Sequence, residues 1–272
     1  MWHSFHAYIH DYSALDRYLQ LEFPAFVKER IAPGEDWFFI RYWLGGPHIR
    51  LRLKRAEGFG AEEFAEAFGR SVGRFLEMNP VRLIDYERFY TDAMLAGEGI
   101  TETYWKAHGT VEPDRYEPEY GRYGGANHMA RSEAVFRAGS ELALTLNTLA
   151  FPYRVLAACD LLHWSLGGPG AAESAFGRYA ELWKSYRSRD ASSFRSLKEA
   201  AVQRAGALIA ADSPPERYRN YLDSLRNLGD LHEGVLFSHV HMMNNRIGVH
   251  PELEYELAAL LAEEGEKRYA RH

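Results

Sequence analysis

At 272 residues, 46% hydrophobic and 14% aromatic, the chain is long enough to bury one sizeable core or two closely joined lobes. A formal net charge of −6 argues against a protein that coats nucleic acid, so any anion site must be focal. The lone cysteine, Cys159, excludes an internal disulfide framework and a thiolate zinc cluster, and its place in the apolar run Val155-Leu156-Ala157-Ala158-Cys159 marks it as core filler rather than nucleophile. The opening residues Met1-Trp2-His3-Ser4-Phe5-His6 show no basic segment leading into an apolar run, and no stretch approaches the roughly twenty apolar residues that span a bilayer. The expectation is a cytoplasmic protein with no membrane partner.

An aromatic run predicts a strand from Trp2 to Ile9, followed by an amphipathic helix after Ser13. The β-prone stretch from Trp37 to Leu53 reads as a hairpin around the Gly45-Gly46-Pro47 turn. Its second strand alternates with period two, placing Ile49, Leu51 and Leu53 on one face and His48, Arg50, Arg52 and Lys54 on the other. Cations side by side repel one another, so that face calls for an anionic ligand, acidic partner side chains or open water. A helix from about Ala61 to Met78 and a strand from Val81 to Arg88 complete a mixed first half. From about Thr91 to Tyr120, Gly97, Gly99, Gly109, Pro113 and Pro118 among polar and aromatic residues suggest a long surface excursion. Beyond about Asn127 nearly everything suits helix, in stretches 127–149, 151–165, 171–187, 192–210, 215–228 and 230–246. These are broken by Pro152, the connector Gly167-Gly168-Pro169-Gly170, and Pro214-Pro215. The expected class is α+β, a mixed β-sheet in the N-terminal half packed against a largely helical C-terminal half. With no internal repeat or flexible linker, residues 1–272 are expected to form one compact unit.

Two further clusters carry chemistry. Tyr116-Glu117-Pro118-Glu119-Tyr120-Gly121-Arg122-Tyr123-Gly124-Gly125 joins acids, tyrosines and a double glycine to Arg122, which either offers a planar fork to a carboxylate or pairs with Glu117 or Glu119 at a helix start. Near the end of a predicted helix, His241 and Asn245 share a face, whereas His239 lines up with Met242 or Met243. A metal site is not expected. His232-Glu233 lacks the second histidine of a zinc helix, and His239 and His241 point about 200° apart on a helix. Gly-x-Ser-x-Gly, Walker and dinucleotide glycine motifs are absent, so no cofactor is expected.

The run Trp37–Tyr42 through Gly46-Pro47-His48-Ile49-Arg50-Leu51-Arg52, then Tyr116–Glu119 with Arg122-Tyr123-Gly124-Gly125, then His241-Met242 with Asn245-Arg246, resembles the three signatures of the C-terminal domain of class I lantibiotic dehydratases. That domain also occurs alone as the thiopeptide-type bacteriocin biosynthesis protein. The resemblance implies a lyase that removes glutamate from glutamylated Ser or Thr of a ribosomal precursor peptide, leaving dehydroalanine or dehydrobutyrine. Carried over by position, it implies Arg52, Arg122 and His241 as elimination residues, with His48, Arg50, Arg41, Tyr123, Asn245 and Arg246 as substrate-binding groups. Which of His239 and His241 supplies the acid/base stays open. Removing a weakly acidic peptide Cα proton needs the developing enolate stabilised and the departing carboxylate held, which guanidiniums and an imidazole can do. The glutamylating domain of a full-length dehydratase does not lie within these residues. The implied partners are therefore the precursor peptide, leader and core, and a separately encoded glutamyl-tRNA-dependent dehydratase, with no direct nucleic-acid contact. The family also contains pyridine synthases that join two dehydroalanines by formal cycloaddition. In those the first signature usually resembles Arg-Lys-x-Pro-Cys-Trp-Arg, which this chain does not keep. A non-catalytic scaffold that adds the precursor as a strand to the sheet is the remaining alternative. The segment from Phe89 to Asp114 departs from the family pattern as a longer insertion than in many relatives, and Tyr104-Trp105-Lys106 and His108 are expected to cap a pocket or meet a different substrate.

Overall fold

A computed structural model describes residues 1–167, 174–187, 192–229 and 232–269. The chain divides into two compact units, Met1–Pro118 and Glu119–His272. The first is α+β, and the described regular elements of the second are all helical, as the sequence patterning implies.

In the first unit, strands β1 (Trp2–Tyr8), β2 (Trp37–Tyr42), β3 (His48–Lys54) and β4 (Val111–Asp114) form one sheet in the order β2-β3-β1-β4. Every ladder is antiparallel, so the expected mixed sheet is corrected. A β2–β3 hairpin requires antiparallel pairing, and β1 and β4 pair with their neighbours in the same sense. Helices α1 (Tyr12–Leu21), α2 (Phe23–Arg30) and α3 (Ala61–Met78) belong to the same unit. The core is strongly aromatic. Phe5 meets Phe64 at 4.8 Å, Phe23 meets Phe39 at 5.1 Å and Phe26 stacks on Phe68 at 4.9 Å. Each fully buried Phe contributes about 1.5–3 kcal/mol of transfer free energy, and Ile49, Leu51 and Leu53 share this apolar side.

The strand expected over Val81–Arg88 does not form; that segment closes instead on a single 3-10 turn, Tyr86–Arg88. The Arg82 N–H donates to the Asp11 side chain at 2.7 Å, and the Ile84 N–H donates to the His10 carbonyl, so the donors a ladder would use are taken. Within the expected excursion lie α4 (Asp92–Glu98) and β4, which completes the sheet. Tyr90 fastens this segment to the hairpin turn. Its hydroxyl accepts from Gly45 N–H at 3.0 Å and donates to the Tyr104 carbonyl at 2.7 Å, while Lys106 N–H donates to Gly45 O.

The second unit contains α5 (Ala126–Asn147), α6 (Phe151–Leu162), α7 (Ser174–Trp183), α8 (Ser192–Arg195), α9 (Lys198–Ile209), α10 (Arg219–Arg226), α11 (Glu233–Arg246) and α12 (Pro251–Tyr269). The stretch expected as helix over 192–210 is split into α8 and α9, and 151–165 ends in a π-helical turn at His163–Gly167. Of the expected Gly167–Gly170 connector, residues 168–170 lie outside the described residues. Buried polar groups tie the helices together. The Asp160 carboxylate of α6 accepts two bonds from Arg204 of α9, at 2.5 and 2.6 Å, and one from Tyr218. Cys159 is fully buried, with its thiol raised by desolvation, as a core residue. After α11, Gly248 takes φ 76° and Val249 N–H donates to the Asn244 carbonyl, reversing the chain into α12.

Candidate functional site

Pairing register places the cations of β3 on one sheet face with a row of aromatic rings. His48, Arg50, Arg52 and Lys54 alternate with buried Ile49, Leu51 and Leu53 as expected. Their cross-strand partners are Tyr8, His6, Ser4 and Trp2 on β1 and, for the first three, Tyr42, Ile40 and Phe38 on β2. The Arg50 guanidinium lies 3.7 Å from the Tyr42 ring centre. Arg52 lies 4.7 Å from Tyr116 and 5.3 Å from Phe38, while Lys54 lies 5.8 Å from Trp2 and pairs with Asp36. Trp2, Phe38 and Tyr116 also meet one another edge-on, so they form a three-ring cage beside Arg52. Cation–π contacts stabilise by about 0.5–2 kcal/mol each, which offsets part of the like-charge repulsion along the strand.

Histidines on this face serve as neutral supports. His48 is fully buried. Arg50 Nε–H donates to its Nε2 at 3.0 Å, so Nδ1 carries the proton and donates to the Gly46 carbonyl at 2.8 Å. Desolvation, reinforced by Arg50, holds its pKa well below the usual imidazole value. His48 therefore aims Arg50. His6 lies between Ser4 Oγ, 3.2 Å from Nε2, and Asp114 Oδ2, 3.3 Å from Nδ1. The row looks like a Ser-His-Asp relay, but burial and then Arg50, Arg52 and Lys106 push His6 down to about 3, too low for a general base near neutrality. The Asp114 contact is thus a hydrogen bond from a neutral ring.

In the second unit, the glycine-rich turn leads into α5. Gly124 and Gly125 have φ of 81° and 92°, and Gly125 N–H donates to the Tyr120 carbonyl at 2.7 Å. Arg122 lies 3.5 Å from Glu119, the local pair that its sequence allowed, and is partly exposed. Tyr123 points inward and packs on Phe136 at 4.8 Å and on His239 at 5.1 Å, anchoring the turn to α11. His239 itself is buried, lies 3.2 Å from Ser132 Oγ and is pushed down to about 3 by burial and then Arg246. Its geometry is that of a core histidine.

His241 has different surroundings. Its Nδ1 lies 2.8 Å from Glu254 Oε1, and the Trp183 ring covers it at 4.4 Å with a 34° tilt. Glu254 is fully buried on the first turn of α12. Its other oxygen accepts from the Tyr179 hydroxyl and from Asn244 Nδ2, the latter at 3.0 Å. His241 Nε2 makes no hydrogen bond among the described residues, and the side chain keeps 14% of its exposure. Sequence reasoning missed Glu254, Tyr179 and Trp183. The only signal was a carboxylate beyond the Gly248 reversal, thirteen positions from His241.

The remaining expected site residues each have their own surroundings within their unit. Arg41 is on the opposite sheet face from Arg50 and Arg52 and pairs with Asp16 of α1 at 2.6 Å, an arrangement that makes it part of the structural frame. Arg246 is buried. Its Nε donates to Ser140 Oγ at 3.1 Å and its Nη1 to the Met242 carbonyl at 2.8 Å, tying α11 to α5. Asn245 is half-buried on α11. His232 caps α11 by accepting from Gly234 N–H. Among the described residues no three His, Cys, Asp or Glu side chains are grouped to hold a metal ion, and no helix is long and apolar enough to cross a membrane.

Solved structures share the fold. The chain is similar to the pyridine synthase TbtD from thiomuracin biosynthesis, at 18% identity and a TM-score of 0.71 over 100% of this chain and 99% of that one. It is similar to the tRNA dependent lantibiotic dehydratase MibB from Microbispora sp. 107891, at 18% identity and a TM-score of 0.62 over 100% of this chain and 28% of that one. TsrL matches at 16% identity and a TM-score of 0.62, over 99% of this chain and 95% of that one. At such identities the likeness is one of fold. No curated protein sequence matches the chain. The family model described as lantibiotic biosynthesis dehydratase C-term matches residues 2–264, a span that includes all three motifs, and the chain belongs to that family.

Proposed function

We propose that the protein is a peptide-tailoring lyase that eliminates glutamate from glutamylated Ser or Thr of a ribosomal precursor peptide, giving dehydroalanine or dehydrobutyrine. The observation that carries this reading is the pair of guanidiniums, Arg50 and Arg52, presented from one strand on aromatic faces. Elimination releases a carboxylate from an amino acid that is itself anionic, and planar cations suit such a leaving group. In this reading Arg52 is an anion holder with Arg50, aimed by its His48 bond, beside it on the strand, Arg122 is a second anion holder, and His241 is the acid/base. A separately encoded glutamyl-tRNA-dependent enzyme supplies the ester, and no cofactor takes part.

Cycloaddition is the second reading, favoured by the end-to-end likeness to a pyridine synthase. Joining two neutral dehydroalanines expels no carboxylate, so it gives the paired cations less to do. Mass spectrometry separates the two. Incubation with a glutamylated precursor should yield glutamate loss, whereas macrocycle formation and leader release from a fully dehydrated precursor would replace the lyase reading. Alanine at Arg52, Arg122 or His241 should slow glutamate loss by about 10²-fold or more and leave glutamylated peptide. Unchanged output from all three variants would instead identify a scaffold.

A further inference from the structure

We infer that Glu254 is the positioning residue that holds His241 as a base, its carboxylate accepting Nδ1–H and leaving the Nε2 lone pair for the substrate's Cα proton. This rests on the lyase reading for the identity of the substrate, but the arrangement is read from the second unit alone. Glu254 is fully buried, and its oxygens are surrounded by donors: Tyr179 O–H and Asn244 N–H at Oε2, and the His241 ring at Oε1. Burial holds the Tyr179 hydroxyl well above its usual pKa, so it stays a donor and Oε2 must accept. A carboxylate has acceptors only, so Nδ1 carries the proton. Trp183 lies against the imidazole and limits its rotation.

Chemistry follows from that tautomer. The Cα–H bond breaks and its proton passes to Nε2. The electron pair left on Cα becomes the Cα=Cβ bond as the Cβ–O bond breaks, and the pair of that bond leaves on the glutamate carboxylate. Glu254 then faces an imidazolium, whose charge it offsets until the proton returns to solvent. A buried, hydrogen-bonded carboxylate behind a histidine stabilises the protonated ring and fixes which nitrogen reacts.

Glu254→Gln tests the assignment with little change of shape. Because Oε2 receives two donors, the amide nitrogen is expected to face His241 and donate to Nδ1, which favours the Nε2–H tautomer. Heteronuclear NMR of the ring nitrogens, with His241→Ala to identify the resonances, should show the Nδ1–H tautomer in the wild type and Nε2–H in the variant. The kcat for glutamate release should fall roughly 10²- to 10⁴-fold, with KM changed less than about threefold and the thermal midpoint retained. An Nε2–H tautomer in the wild type overturns the assignment even if the variant fails to fold. So does a folded variant that keeps its kcat, and in both cases the lyase reading stands. Conversely, a wild type inert on glutamylated peptide, with an Nδ1–H tautomer that Glu254→Gln abolishes, removes the lyase reading and retains the Glu254–His241 pair.

Discussion

Arg50 and Arg246 are both arginines of the family-like motifs, yet their surroundings assign them opposite tasks. Arg50 rests a planar face on Tyr42 and donates Nε–H to His48, and it makes no ion pair among the described residues. Arg50→Lys keeps the charge but loses both contacts, for an expected cost of about 1 kcal/mol and a fall of roughly 2–4 °C in thermal midpoint by calorimetry. Arg246 instead fills a buried position between Ser140 and the Met242 carbonyl. Replacing it by alanine should cost about 2–4 kcal/mol through lost packing and orphaned acceptors. An unmoved unfolding midpoint in urea would return Arg246 to the list of substrate contacts. The motif spacing made both residues visible in the sequence. It carried no information on whether a guanidinium is stacked on a sheet face or sealed between helices; for Arg246 that depends on Ser140, more than a hundred positions away.

Among the elements, the β2–β3 hairpin was the most legible, because strict alternation writes its two faces directly into the chain. Its turn is more constrained than the sequence shows. Gly46 takes φ 97°, and a Cβ there would meet His10 Nε2 at 2.3 Å. Gly46→Ala combines an unfavourable backbone region with a clash, for an expected destabilisation of about 2–4 kcal/mol; circular dichroism melting measures it, and a midpoint within a degree of wild type would show that His10 moves aside freely. Helix α3 was readable to its ends from amphipathic periodicity, and Asp11, accepting from Ser13 and Ala14 N–H, marks the start of α1. Strand β4 was not legible. Four residues that include Pro113 carry almost no periodic signal, and its place in the sheet comes from pairing with β1 far earlier in the chain.

Across the whole molecule, several histidines are buried as neutral rings: His6 and His239 are pushed down to about 3, His10 to about 4, and His48 well below its usual value, in each case first by desolvation. Their folded pKa values lie beneath the unfolded one near 6.5, so the unfolded chain binds more protons as pH falls below that value. Stability present above pH 6.5 is therefore expected to be lost progressively toward pH 3, with each ring contributing up to about 1.4 kcal/mol per pH unit inside its window. Urea titrations at stepped pH check this, and His239→Gln should flatten the slope; a variant slope equal to that of wild type would refute the attribution. The sequence by itself determined the α+β class, the sidedness of β3, the helical second half and the three motifs, because periodicity and turn residues act over a few positions. Tertiary structure alone decided that the sheet is wholly antiparallel, that Arg41 faces Asp16, that aromatic rings bear the cations of β3 and that Glu254 stands behind His241. Those outcomes depend on where a chain reversal brings a distant side chain, and local patterning does not record which polar partners meet once the backbone has turned back on itself.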